Sequence, residues 1–297
     1  MTVRVGTAGW SFPDWEGIVY PRGASRTREA LALLSRLFDV LEINVSFYRP
    51  PTVAMARQWL AAVSGRPSFR FTAKIWRGFT HERDRRHAEQ ETAFGQGMAP
   101  LRESGRLTAV LAQFPQSFKN ESASRAYLEE LIERFRDFPL VVELRHVSWA
   151  RDDVAAMLAS RGVGLCTVDQ PSVGAAAPPS TVMTGIGYVR LHGRNRRDWF
   201  RKDAGRDARY DYLYSHEEIQ QWADRIGLMR AAARGRDIIV IANNHYRGQA
   251  PANALELKSL LSGGPVDVPE LMLKAFPRLE KVAGARLRQG GQGALPL

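Results

Sequence analysis

The chain has a single cysteine, Cys166, among 297 residues. That excludes a disulfide framework and a cysteine-rich zinc module. Histidine is scarce as well, at six residues, so a multinuclear metal cluster lacks its usual nitrogen donors. No stretch approaches the roughly 18 apolar residues that a membrane span requires. The N-terminus runs straight into Val3-Arg4-Val5-Gly6 without a basic-then-apolar leader, so a cytoplasmic protein without membrane contact is expected. No Gly-x-Gly-x-x-Gly follows the first apolar run, which argues against an open, dinucleotide-binding sheet. Positive charge is in excess: 42 Lys+Arg face 31 Asp+Glu, a net charge of +11 with few lysines among the cations. Such an excess favours polyanionic partners and carries no information about fold.

Eight β-rich runs recur along the chain: Val3–Trp10, Val40–Phe47, Phe69–Trp76, Leu107–Phe114, Leu140–His146, Gly164–Asp169, Gly187–His192 and Asp237–Asn243. Between them apolar residues fall at helical spacing. Helices are predicted over Arg28–Phe38, over Thr52–Val63 with Thr52 as N-cap, and over Ser124–Phe135. Others follow over Asp153–Ser160 capped by Asp152, from the capping box Ser215-His216-Glu217-Glu218, and over Pro251–Leu261. The segment between Gly78 and Gly105 gives no clear periodicity. Strands alternating with helices imply a parallel sheet, and eight such strands close into a (β/α)₈ TIM barrel. Gln170–Gly185, rich in Pro, Ala, Gly and Ser, fits no helix, so the sixth crossover is expected to be an irregular loop. The barrel is assigned to residues 1–262 and a C-terminal extension to 263–297. In that extension a helix is predicted over Pro269–Ala283, ahead of a Gly/Gln/Pro-rich disordered tail.

Both faces of a parallel-barrel strand are buried, so its strands should be almost continuously apolar. Several here are not. Glu42, Asn44 and Ser46 alternate with Leu41, Ile43 and Val45, which points the polar set inward. The same parity places Arg70, Thr72, Lys74 and Trp76 inside, with Glu143 and Arg145, and with Tyr188, Arg190 and His192. Gln113, Asp169, Asn243 and Asn244 reach the same strand ends, where barrel enzymes place their sites. Two arrangements remain open: a pocket, or an internal lattice in which Lys74, Arg145 and Arg190 neutralise Glu42 and Glu143. The candidate catalytic residues are Glu42, Lys74, Glu143, Asp169 and His192. The candidate substrate-binding residues are Trp10, Asn44, Tyr48, Gln113, Arg145, Arg190, Arg194, Asn243 and Asn244. An anion clamped by Arg145 and Arg190 suits these charges, since guanidinium grips phosphate or carboxylate bidentately. No cofactor is predicted; Glu143, Asp169 and His192 offer a site for one divalent ion. The helix after Asn243 offers its N-terminus to an anion. Cys166 has no activator beside it and is expected to be an inert thiol. His81 and His87 lack metalloprotease spacing and are expected on a charged surface.

These segments together resemble the YecE-like family of proteins with a domain of unknown function. The matching pieces are Gly6-Thr7-Ala8-Gly9-Trp10-Ser11-Phe12, Glu42-Ile43-Asn44, Ser46-Phe47-Tyr48, Lys74 ahead of Thr80-His81, and Gln113-Phe114-Pro115. Further on come Glu143-Leu144-Arg145-His146, Arg190-Leu191-His192-Gly193-Arg194 and Asn243-Asn244-His245. The resemblance implies a TIM barrel and supplies no established reaction. Val45 and Ala242 depart from the family pattern without touching a proposed site residue.

Three functions follow. The first is an enzyme acting by acid–base chemistry on a small anionic, phosphorylated or sugar-like substrate. The second is a protein that binds or processes nucleic acid through the basic, aromatic loop 194–214, whose arginines and rings suit a single strand. The third is a barrel that binds a ligand without catalysis. Fold alone does not choose among them.

Overall fold

Eight parallel strands pair in chain order and the last pairs with the first, closing a barrel. They are β1 (Val3–Ala8), β2 (Val40–Ile43), β3 (Arg70–Lys74), β4 (Leu107–Gln113), β5 (Leu140–Glu143), β6 (Gly164–Asp169), β7 (Gly187–Leu191) and β8 (Ile238–Ala242). Closure runs through the register Val3↔Ile238 to Thr7↔Ala242, with Gly6↔Val40 on the other side of β1. A Cβ on Gly6 would stand 1.7 Å from the Val40 carbonyl oxygen, so only glycine lets these two strands approach. The computed structural model describes residues 1–24, 27–83, 87–171, 174–177, 182–199, 201 and 207–287. Within them the fold is the (β/α)₈ barrel read from the sequence.

The outer layer comprises α1 (Thr27–Leu37), α2 (Val45–Tyr48), α3 (Val53–Ala62), α4 (Ala88–Glu103), α5 (Ser122–Arg134), α6 (Asp152–Ser160), α7 (His216–Ala232) and α8 (Gln249–Ser262). Local chemistry sets several boundaries. The Thr52 side chain accepts the Met55 N–H, and Ser215 and Glu218 form a reciprocal capping box that opens α7. Helix α4 is the one that periodicity missed; Gly95, Gly97 and Pro100 interrupt its apolar stripe. Asp152, expected as a cap, lies in the first turn of α6, and Arg151 occupies the N-cap. No helix joins β6 to β7 among the described residues, in keeping with an irregular sixth crossover. Nor is any described helix long and apolar enough to cross a membrane.

Two expectations give way. The second strand stops at Ile43, because Val45–Tyr48 coils into the single-turn α2. Ser46 therefore does not face the barrel interior: its hydroxyl donates to the carbonyls of Ile43 and Lys74, tying β2 to β3. The extension also folds differently from the single helix predicted over Pro269–Ala283. It forms β9 (Val266–Pro269), a short α9 (Glu270–Ala275) that ends before Pro277, and β10 (Ala283–Leu287), parallel to β9. Proline's ring disfavours helical geometry in the residue before it, which places the break at Phe276. Val268, Met272 and Leu279 are buried, and Arg278 donates to the Tyr214 carbonyl. The tail from residue 288, read as disordered, lies outside the described residues.

Candidate functional site

The inward parity holds at its centre and assembles a closed charge network. Arg190, on β7, is 1% exposed. Its Nη2 donates to Glu42 Oε1 at 2.7 Å and its Nη1 to Glu143 Oε2 at 2.7 Å. Arg145 Nε donates to the other Glu143 oxygen at 2.6 Å. Tyr188 donates to Glu42 Oε2 at 2.9 Å and lies 2.8 Å from the Thr72 hydroxyl. Pairing of this kind offsets the cost of burying these charges. Burial works against ionisation of Glu143, but Arg145 and Arg190 override it and hold the carboxyl well below the usual range. Burial likewise raises the Tyr188 hydroxyl and the Cys166 thiol well above their ordinary values, with Glu42 and Glu143 respectively adding to the effect. The inert thiol expected at Cys166 fits that setting.

His192 lies behind this network, fully buried. Burial and then Arg190 push it well below its ordinary value, so it is neutral. Arg190 Nη1 stands 3.2 Å from His192 Nε2, and a guanidinium can only donate. The Asn243 amide nitrogen lies 2.7 Å from the other ring nitrogen, Nδ1. Both ring nitrogens are thus engaged, and His192 positions Arg190.

Lys74 differs from the arginines. It is 8% exposed, yet among the described residues it forms no ion pair. Its Nζ donates to Gln113 Oε1 at 2.7 Å and lies 4.1 Å from the centre of the Phe47 ring. Burial, and then Arg190, hold this amine down at about 7.

Above Lys74 opens a cavity of about 720 Å³ at the C-terminal ends of the strands, where the barrel fold places its sites. Gln113 and Arg190 share its floor; Asn44 and Asn243 add amides; Trp10 and Tyr48 stand in its wall. Six of the fourteen candidate residues, with Lys74 as the seventh, thus meet at one opening. Glu42, Glu143, Arg145 and His192 stand behind or beside Arg190. Three candidates are drawn elsewhere. Asp169 has outward parity on β6: it accepts from Trp222 Nε1 of α7 at 2.9 Å and from Arg194 Nε at 3.0 Å. Arg194 also reaches Glu218 at 2.8 Å. Asn244 donates to the Tyr212 carbonyl and to Asn253, bracing the loop after β8. The proposed ion site of Glu143, Asp169 and His192 is consequently not assembled. Among the described residues no group of three or more His, Cys, Asp or Glu side chains is placed to hold a metal ion.

Other groups in the wall escaped the sequence reading. His81 is not on a charged surface; it lines the cavity, edge-on to Phe47. Burial, and then Lys74, hold it down at about 4. His87 is buried too, against Trp76, which itself lies beyond β3 and packs outside the barrel. Phe12 stacks on His245, which also meets Tyr210. These rings come from four separate loops, so no sequence spacing announces them. The α8 N-terminus, offered as an anion cradle, is instead covered: Ile18 and Val19 press on Gly248. The loop 194–214 is described only in part; there Arg201 pairs with Asp198, whereas Arg196 and Arg197 are exposed.

Comparison with known proteins agrees with this architecture. The model of a family described as "Protein of unknown function DUF72" matches residues 4–275. UPF0759 protein YunF of Bacillus subtilis is 27% identical over 274 residues, covering 87% of this chain and 94% of that one. A DUF72 family protein from Thermotoga maritima superposes with a TM-score of 0.78 at 34% identity, over 88% of this chain and 100% of its own. One from Enterococcus faecalis gives a TM-score of 0.76 at 27% identity, over 88% and 96%. The YecE-like resemblance read from the sequence is to this family, and the chain belongs to the DUF72 family of TIM-barrel proteins.

Proposed function

We propose that this barrel is a cytoplasmic enzyme that binds a small anionic compound, phosphorylated or sugar-like, in the aromatic cavity and acts on it by acid–base chemistry centred on Lys74. One observation carries the reading: Lys74 is a buried cation at the cavity floor whose one close side-chain hydrogen-bond partner among the described residues is a neutral amide. Arg190 has both terminal nitrogens on carboxylates, so an incoming anion finds its uncompensated charge in Lys74. An amine held near 7 can also take up or release a proton at neutral pH, which suits acid–base work. Glu143, held strongly acidic by two arginines, is a poor base beside it. The rings of Trp10, Phe12, Trp59 and Tyr210 supply apolar faces for the body of the ligand.

A melting-temperature screen tests this, using phosphorylated metabolites, sugars, and single-stranded DNA and RNA at low and moderate salt. A ligand at 100 times its dissociation constant stabilises the fold by about 2.7 kcal/mol. The expected result is a salt-tolerant shift with one small anion that disappears in Lys74→Met. Exposed Arg196 and Arg197 favour nucleic acid as the second reading. A shift confined to nucleic acid, fading as salt rises, supports that reading and overturns the first.

A further inference from the structure

We propose that Lys74 is an amine nucleophile, condensing with the carbonyl group of a small aldehyde or ketone that also carries a carboxylate or phosphate, to form an enzyme-bound imine. This rests on the cavity being the substrate site. The argument begins with composition. Six of the 42 cationic residues are lysine, at 74, 119, 202, 258, 274 and 281. Charge and solubility are left to arginine, which stays protonated and is no nucleophile. Of the described lysines, 119, 274 and 281 are exposed and Lys258 pairs with Asp39. Lys74 alone among them faces the cavity.

Its surroundings fit an amine that changes bonding partner. Gln113 Oε1 accepts from Lys74 Nζ at 2.7 Å and lies 3.4 Å from Arg190 Nη1. With Arg190 beside it, the amide keeps its oxygen toward Nζ. That oxygen can accept an N–H from the free amine and, after condensation, the single N–H of a protonated imine. The Phe47 face, 4.1 Å from Nζ, favours the imine's positive charge through its ring quadrupole. A carboxylate close by would have held the amine protonated; among the described residues none pairs with it.

The step balances as follows. The lone pair of the neutral amine forms the C–N bond while the carbonyl π electrons move to oxygen. One proton passes from nitrogen to that oxygen, giving a carbinolamine. A proton from solvent at the cavity mouth then lets the C–O bond break, and water leaves. The remaining C=N–H carries one positive charge beside the substrate's own anion. At pH 7 about half of an amine held near 7 is neutral. A surface lysine at about 10.4 is neutral to less than about one part in a thousand.

The test uses the intact chain with glyoxylate, dihydroxyacetone phosphate or formaldehyde at pH 7, each with sodium borohydride, followed by peptide mass mapping. Formaldehyde asks whether the amine is available; the other two ask whether an anionic carbonyl compound is accepted, and distinguish a carboxylate from a phosphate. Expected is reductive alkylation of the Lys74 peptide at least tenfold ahead of the other lysines, with glyoxylate or dihydroxyacetone phosphate. The adduct vanishes in Lys74→Arg, which keeps the charge. Alkylation by formaldehyde alone overturns the assigned substrate class. Modification of the other lysines ahead of Lys74 by all three reagents overturns the imine altogether. A rise in melting temperature with either anionic probe, without reducible adduct, keeps the cavity as the binding site and removes the imine. Absence of both binding and adduct removes both for these compounds.

Discussion

Arg190→Met removes one charge and keeps most of the side-chain volume, at a position that is 1% exposed. Two buried carboxylates, Glu42 and Glu143, each lose a 2.7 Å hydrogen-bonded partner. Breaking a buried pair by removing one member costs about 3–5 kcal/mol; here one guanidinium serves two carboxylates, so the upper end is expected. For a chain of this size that lowers the melting temperature by roughly 6–15 °C. The pH dependence separates lost charge from lost packing. In the native chain Glu143 is depressed, so its contribution is present above the unfolded value of about 4.3 and is lost as pH falls through the folded value. Without Arg190, burial is opposed at Glu143 mainly by Arg145 and its carboxyl rises, so the penalty is full at neutral pH and fades as that carboxyl protonates on acidification. Thermal unfolding followed by circular dichroism at pH 7 and pH 5 should therefore show the deficit narrowing at the lower pH. Adding Glu42→Gln and Glu143→Gln should restore much of the loss at pH 7. A deficit below 1 kcal/mol, or one that does not change with pH, refutes the buried network.

Three further outcomes follow from particular contacts. Lys74→Met should stabilise the chain at and below pH 7 by something on the order of 3–5 kcal/mol. Burial lowers the folded value to about 7, so native stability rises between pH 7 and 10 and the gap to the variant should close there in urea titrations; a constant gap would count against the burial. Ser215→Ala removes the hydroxyl that accepts the Glu218 N–H and should cost about 1 kcal/mol, read from the denaturation midpoint. Gly97→Ala, which helix propensity alone would favour by about 1 kcal/mol, should instead destabilise by about 1–3 kcal/mol. Its Cβ would stand 1.9 Å from the Pro51 carbonyl oxygen, and a gain in stability would show that α4 does not pack against that turn.

The barrel itself was legible because burying both faces of eight strands demands apolar runs at regular spacing, and because Thr52 and Ser215 mark helix starts by local hydrogen bonds. Parity on a strand is equally local, so it placed Glu42, Lys74, Glu143 and Arg190 inside without any knowledge of the strands beside them. It failed where the chain left the strand: Ser46 entered a helical turn, and Trp76 swung outside. It misled at Asp169 because outward parity can still end on a buried partner, here Trp222 from α7 some fifty residues away. Which charges cancel was likewise beyond it. Pairing depends on distances across the barrel, and Glu42 and Arg190, 148 residues apart in sequence, meet only when the strands close. That closure decided that Arg190 is paired with carboxylates and that Lys74, among the described residues, is not. It also brought His81, Phe12, Tyr210 and His245 around the same opening. Residue order specified the polar groups and the face each strand turns inward; only the three-dimensional closure, through burial and charge compensation, separated those that hold the barrel together from the amine left facing the cavity.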